Sequence, residues 1–229
     1  MIRQLVKSTE IDKVTQANLN EIKSMIQTFK INDEKFVDQT YHLNLGVNFD
    51  KRKIYNYLEQ KNIFPSQIKK EKFLFLPIII NENANSIYVF SDNPIYQNWN
   101  LYTKNPNLIN FLLPTEDLED LNHIRKNIEN IESYKFKEIL KKYALKNSII
   151  SIIYLNKSEI KILSKIYIDE KEIIFNNFLK NYDLNNSEQQ IKFINELKVI
   201  YEDIWKDQNQ INTSIKLPLT IRVDNEVLS

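Results

Sequence analysis

The chain has 229 residues, a formal net charge of +1, 42% hydrophobic and 27% charged residues, one glycine and no cysteine. Without cysteine there are no disulfides, no thiolate catalysis and no cysteine-ligated metals, and one glycine, Gly46, is too few for a P-loop or a GxGxxG dinucleotide loop. The near-neutral charge gives no argument for wrapping nucleic acid or for strong attraction to an anionic membrane.

No stretch approaches the roughly 20 apolar residues that span a bilayer. The start, MIRQLVKSTEIDK, lacks an apolar h-region, so no signal peptide is expected on this chain. Ile, Asn and Lys are abundant, the bias of an AT-rich coding sequence, and Asn and Lys stand where Gly, Ala and Arg usually punctuate turns and helices.

Met1–Phe29 reads as helical, with a break near Ser8–Ile11, because Leu5, Ile11, Val14, Leu19, Ile22, Met25 and Ile26 recur at spacings of three and four. A short strand is expected over Phe29–Asp33. Asp38–Phe49 is the clearest strand, since Tyr41, Leu43, Leu45, Val47 and Phe49 alternate with polar residues. That pattern predicts one buried and one wet face, as in an antiparallel sheet. Asp50 then caps a helix over Lys51–Lys61, with Ile54, Tyr57 and Leu58 as its apolar stripe. These elements make a small helix–strand–strand–helix module over residues 1–64, followed by a linker at about 65–70 holding Pro65, Lys69 and Lys70.

A second module is expected over residues 71–229. Phe73–Ile80 is apolar nearly throughout, as a strand buried on both faces would be. Asn81–Asn85 is a polar turn and Ser86–Phe90 its hairpin partner. Asp92-Asn93-Pro94 is a helix start, a capping residue with proline in the first turn, carrying Ile95, Tyr96 and Trp99. Leu108–Leu113 reads as a third strand stopped by Pro114, after which Thr115 caps a helix whose first turn is acidic. A helix over Ser133–Ala144 and a buried strand over Asn147–Leu155 follow. Glu159–Ile168 and Lys171–Leu179 form a hairpin about Asp169-Glu170. Asn186-Ser187 starts a long helix over Glu188–Asp207, and Ser214–Val223 alternates as a last strand. The fold class expected is α+β or α/β: the small module, then a layered module with a mixed sheet flanked by helices.

The ordered landmarks Leu76-Pro77, Tyr88–Phe90, Asp92-Asn93-Pro94 with Trp99, Leu112-Leu113-Pro114 and Asp117-Leu118-Glu119-Asp120 resemble the bacterial DUF2066 family, whose function is unassigned. Lys142-Tyr143-Ala144, Ile204-Trp205-Lys206, Ile31-Asn32-Asp33-Glu34 and Val47–Asp50 extend the resemblance over nearly the whole chain. Ile95 stands where the family has Trp, and Ala144 where it has Gly. The resemblance implies an exported, envelope-associated protein in the periplasm or cell envelope, with a cytoplasmic location as the alternative. It also implies a family protein longer at both ends, with a signal peptide before the first helix. It implies no activity.

Glu116, Asp117, Glu119 and Asp120, with His123 three residues after Asp120 on the same helical face, form the sharpest polar constellation. Such a group suits a hard cation or a carboxylate–imidazole acid–base pair. Equally, carboxylates at a helix N-terminus stabilise the helix without any ligand. Asp92, Asn93 and Trp99 suit either a binding groove or a helix cap with an aromatic cover for the sheet. His42 has no companion ligands, and no G-x-S-x-G elbow is present. Lys51, Arg52, Lys53, Lys69, Lys70 and Lys72 flank the linker and could form a basic patch, without the aromatic interleaving of a single-strand binder.

The function expected is a non-enzymatic envelope protein acting through contact with a protein partner. No cofactor, nucleic acid or membrane span is expected. The binding residues read from the sequence are Asp92, Asn93, Trp99, Asp117, Asp120 and His123. The alternatives are a small-ligand or metal site, or a hydrolase, at Asp117–His123, and an anionic-surface or nucleic-acid binder through the linker lysines.

Overall fold

The computed structural model describes residues 2–101, 108–156, 159–180 and 182–211, which form an α+β protein of two units. One unit is Ile2–Gln67 joined by the described residues from Asn209 onward; the other is Ile68–Gln208. Asn209–Ile211 thus cluster with the first unit rather than the second. The strand expected over Ser214–Val223 lies outside the described residues.

In the first unit, helices α1 (Ile2–Leu5) and α2 (Ile11–Thr15) are separated at the break expected near Ser8–Ile11, and a second break, which the sequence reading lacks, separates α2 from α3 (Leu19–Met25). Asn18 is the reason α3 begins where it does: its side chain accepts from the Asn20 and Glu21 amides, and Glu21 accepts from the Asn18 amide in return. Helix α3 stops at Met25, four residues before the expected Phe29. Strands β1 (Ile26–Val37) and β2 (Thr40–Phe49) then pair antiparallel about a two-residue turn in which Asp38 and Gln39 both have positive φ. Helix α4 (Lys51–Gln60) is capped by Asp50, whose carboxylate accepts from the Arg52 and Lys53 amides. Its Ile54, Tyr57 and Leu58 pack with Leu5, Val6, Val14, Met25 and Ile63 to form a small core. The chain returns to this unit after α8: the Gln67 amide donates to Asn209 O at 2.9 Å, and the Ile211 amide to Pro65 O at 2.8 Å.

The second unit is built on strand β3 (Glu71–Asn81). It pairs antiparallel with β4 (Ser86–Tyr88), and parallel with both β5 (Ile109–Leu112) and β6 (Asn147–Leu155). Beyond β6 the sheet continues antiparallel through β7 (Glu159–Ile168) and β8 (Lys171–Lys180). Six strands lie in this mixed sheet, in the order β4-β3-β6-β7-β8 with β5 also on β3. Both faces are covered, which explains the near-continuous apolar run of β3. Phe73, Phe75 and Ile79 face α5 (Pro94–Asn98) and α8 (Ser187–Gln208). Leu76 and Ile78 face the side of α6 (Leu118–Lys126) and α7 (Lys137–Lys142).

Two helix starts differ from expectation. Asp117, not Thr115, caps α6, because its carboxylate reaches the Glu119 and Asp120 amides. The helix expected over Ser133–Ala144 is confined to α7 because Phe136 takes a left-handed conformation (φ 49°). That backbone costs about 1–3 kcal/mol in a bulky residue. Full burial of the Phe136 ring, edge-on to Tyr134, offsets it.

Candidate functional site

The acidic helix start is tied up in the structure. Asp120 is buried on α6, and its Oδ1 lies 2.6 Å from Lys142 Nζ of α7, while its Oδ2 is buried with no partner among the described residues. The same ammonium sits 3.0 Å from Asp117 Oδ2. That hydrogen bond from Lys142 holds Asp117 below the usual carboxylate range, with help from the Asp120 and Glu119 amides. The carboxylates in turn push the Lys142 ammonium upward. A depressed carboxylate stabilises the fold above its unfolded-state pKa, and the contribution is lost as pH falls through the lowered value. Glu116 accepts from Ser91 Oγ at 3.0 Å. His123 turns toward Glu119 and Glu138, each with an oxygen 3.9 Å from Nε2.

The cluster therefore works as a clasp between α6 and α7. Among the described residues, no group of three or more His, Asp or Glu is placed to hold a metal ion. A cleft of about 570 Å³ opens beside α7, lined by Lys135, Lys137, Lys141, Lys146, Tyr167 and Glu172 among others, and none of the predicted acids lines it.

Asn93 is fully buried and satisfies both ends of its amide. Its Oδ1 accepts from the Ile95 and Tyr96 amides, and its Nδ2 donates to Pro77 O at 3.0 Å and Tyr88 O at 3.2 Å. Pro77 lies in the part of β3 between the stretches that pair with β5 and with β4, and among the described residues neither strand reaches it there. One side chain thus caps α5 and completes the sheet. Trp99 has no exposed surface: it stacks on Phe75 with ring centroids 3.8 Å apart and meets Phe111 edge-on at 5.2 Å. Lys198 Nζ donates to Trp99 O at 2.6 Å and lies 5.1 Å from the ring centroid. Burial lowers the Lys198 pKa. Asp92 alone of this trio is exposed.

Other candidate chemistry is similarly enclosed. Ser151, Ser164 and Tyr201 hydrogen-bond to one another inside the sheet–α8 layer, and burial pushes the Tyr201 hydroxyl up to about 12. All three are sealed from any substrate. The basic residues divide between the units, with Lys51 over the Tyr55 ring, Lys53 on Ser24 O, and Lys69 over the Trp205 ring beside Glu71.

The feature that stands open is the β1–β2 ribbon. Paired residues in an antiparallel ladder share a face, so the register puts Phe29 with Val47, Ile31 with Leu45, Glu34 with Leu43, and Phe36 with Tyr41 on one side. Thr28, Lys30, Asp33 and Lys35 lie on the other, with Asn48, Gly46, Asn44 and His42. The alternation read from the sequence is real, but its expected burial is not. Phe29 is 68% exposed, Phe36 71% and Tyr41 57%, and no ribbon side chain joins the core of its unit. The physical reason is that the helices α1–α4 close their own core at Met25 and Asp50, joined by the Asp50 amide on Met25 O at 2.8 Å, and among the described residues none packs on the apolar face of the ribbon as part of that core.

Two irregularities set the phase of this face. β1 has one residue more than β2 between Ile31 and Asp33, and another between Ile26 and Thr28. The bulge at Asn32 carries Phe36 onto the side of Ile31; unbroken alternation would have put it opposite. Asn32 Nδ2 reaches Asn44 Oδ1 at 3.4 Å and lies where a Cβ on Gly46 would come within 3.2 Å of it, so Gly46 leaves room for the bulged side chain. No such signal is visible in a count of alternating residues, which is why the site residues chosen from sequence omit the ribbon. The chain matches no protein-family model and no curated protein. The resemblance to DUF2066 therefore rests on the ordered landmarks alone.

Proposed function

We propose that this chain is a non-enzymatic protein that works through protein–protein contact, and that the apolar face of the β1–β2 ribbon makes the contact. One observation carries the reading: an apolar face, Phe29, Ile31, Phe36, Tyr41, Leu43 and Leu45, interrupted only by Glu34, is exposed, and among the described residues the unit's core forms without it. Its three aromatic residues alone expose roughly 400 Å² at about 200 Å² per residue. That already matches the largest apolar patch of a typical monomer. Aromatic side chains on a regular backbone are also the commonest anchors of protein interfaces. The DUF2066-like landmarks support a place in the bacterial cell envelope, with the cytoplasm as the alternative. Among the described residues, no helix is long and apolar enough to cross a membrane.

A photo-crosslinking amino acid placed at position 36, and separately at position 35 on the polar face, tests this in the source cell. Discrete protein adducts are expected from 36 and not from 35. Lipid adducts from 36, or equal labelling from both faces, would refute the contact surface.

A further inference from the structure

The identity of the partner follows from the chemistry of that face. We infer that its first occupant is a second copy of this chain, with two ribbons packed face to face about a two-fold axis; this rests on the ribbon being the contact surface. Three properties point to self-association. The face is apolar at every position but Glu34, so it complements itself, and two sheets packed through such faces form a standard layer about 10 Å thick. Its area is on the scale a dimer needs: the three aromatic residues supply roughly half of the ~800 Å² per partner of a stable interface, and the aliphatic residues between them supply more. Finally, a net charge of +1 sets up almost no repulsion between copies.

Glu34 is the one charged residue on the face, and the Tyr41 hydroxyl donates to it. It sits within the apolar row, so a two-fold arrangement brings two carboxylates into one neighbourhood. That like-charge pair limits affinity rather than forbidding the contact. The symmetry also means that each substitution acts twice in the dimer.

Sedimentation equilibrium of the purified full chain tests the inference. A reversible dimer is expected, with a dissociation constant of ~1–100 μM. Phe36→Ser and Leu43→Ser should each weaken it at least about tenfold. Lys35→Ser, on the opposite face, should leave it unchanged, and Glu34→Gln should tighten it. All four positions are exposed, so circular dichroism should report an unaltered fold. A chain that stays monomeric at ~100 μM, or a dimer indifferent to Phe36→Ser, overturns the inference. An apolar dye then separates the two levels of the argument. A monomer that binds the dye through Phe36 keeps the contact surface and assigns it to another protein. A monomer that binds none loses the contact surface as well.

Discussion

Asn93 shows how much one side chain can do without touching a ligand. It satisfies two amides at the start of α5 and two carbonyls, Pro77 and Tyr88, at the sheet. Asn93→Ala would remove a helix cap worth about 1 kcal/mol and strand buried carbonyls, for a total of about 3 kcal/mol. Chemical denaturation followed by tryptophan emission measures this; a loss under about 1 kcal/mol would show that water replaces the amide. The sequence signal at Asp92-Asn93-Pro94 was correctly a helix start, but four hydrogen bonds from one residue cannot be read from neighbours in the chain. Trp99 is similar. Its type suits an anchor, yet its partners, Phe75 and Phe111, come from strands on both sides in sequence and close over it completely. The acidic cluster was legible as a helix start with carboxylates in its first turn. Lys142, which engages two of them, lies 22 residues beyond Asp120 and carried no signal of its own.

At the scale of elements, hairpins in this chain are turned without glycine. Asp169 and Glu170 both adopt positive φ between β7 and β8, as Asp38 and Gln39 do in the ribbon. Asp tolerates that conformation, whereas Glu and Gln are strained by about 1 kcal/mol. Glu170→Gly is therefore expected to raise stability by up to about 0.5 kcal/mol, the relief of strain slightly exceeding the added freedom of the unfolded chain. A thermal shift reads it out, and a fall in melting temperature would mean that Glu170 makes contacts that outweigh its backbone strain. The β7–β8 hairpin, the buried β6 strand and the long α8 helix were all legible, the hairpin and the helix by their periodicity and β6 by its continuous apolar run. β1 was only partly legible. Its two bulges break the period-two pattern, so the sequence suggested a strand of five residues where the strand runs for twelve. The burial expected for the ribbon failed for a different reason. Alternation reports that two faces differ, and it does not report what covers the apolar one.

The whole molecule is an insertion. Ile68–Gln208 carries both tryptophans and two core layers of its own, while the unit that surrounds it in sequence is closed by Asn209–Ile211. Expressed alone, Ile68–Gln208 is expected to fold cooperatively, with both indoles as buried as in the full chain. Tryptophan emission during denaturation checks this; a red-shifted spectrum without a transition would show that the inserted unit needs its host. The mixed sheet and its flanking helices were expected from the order of elements. The return of the chain to the first unit was not, because Asn209, Gln210 and Ile211 carry no motif, and their pairing with Pro65, Ser66 and Gln67 runs through the backbone.

That clasp has a consequence for how the protein is made. The Gln67 amide and the Asn209 carbonyl are 2.9 Å apart in space and 142 residues apart along the chain. A ribosome delivers the whole of Ile68–Gln208 before it releases the residues that close the first unit. The inserted unit can thus complete its core while the ribbon's own unit is still waiting for its last backbone bonds. The ribbon and its helices leave the ribosome first, yet the unit they belong to is the one whose backbone is closed last.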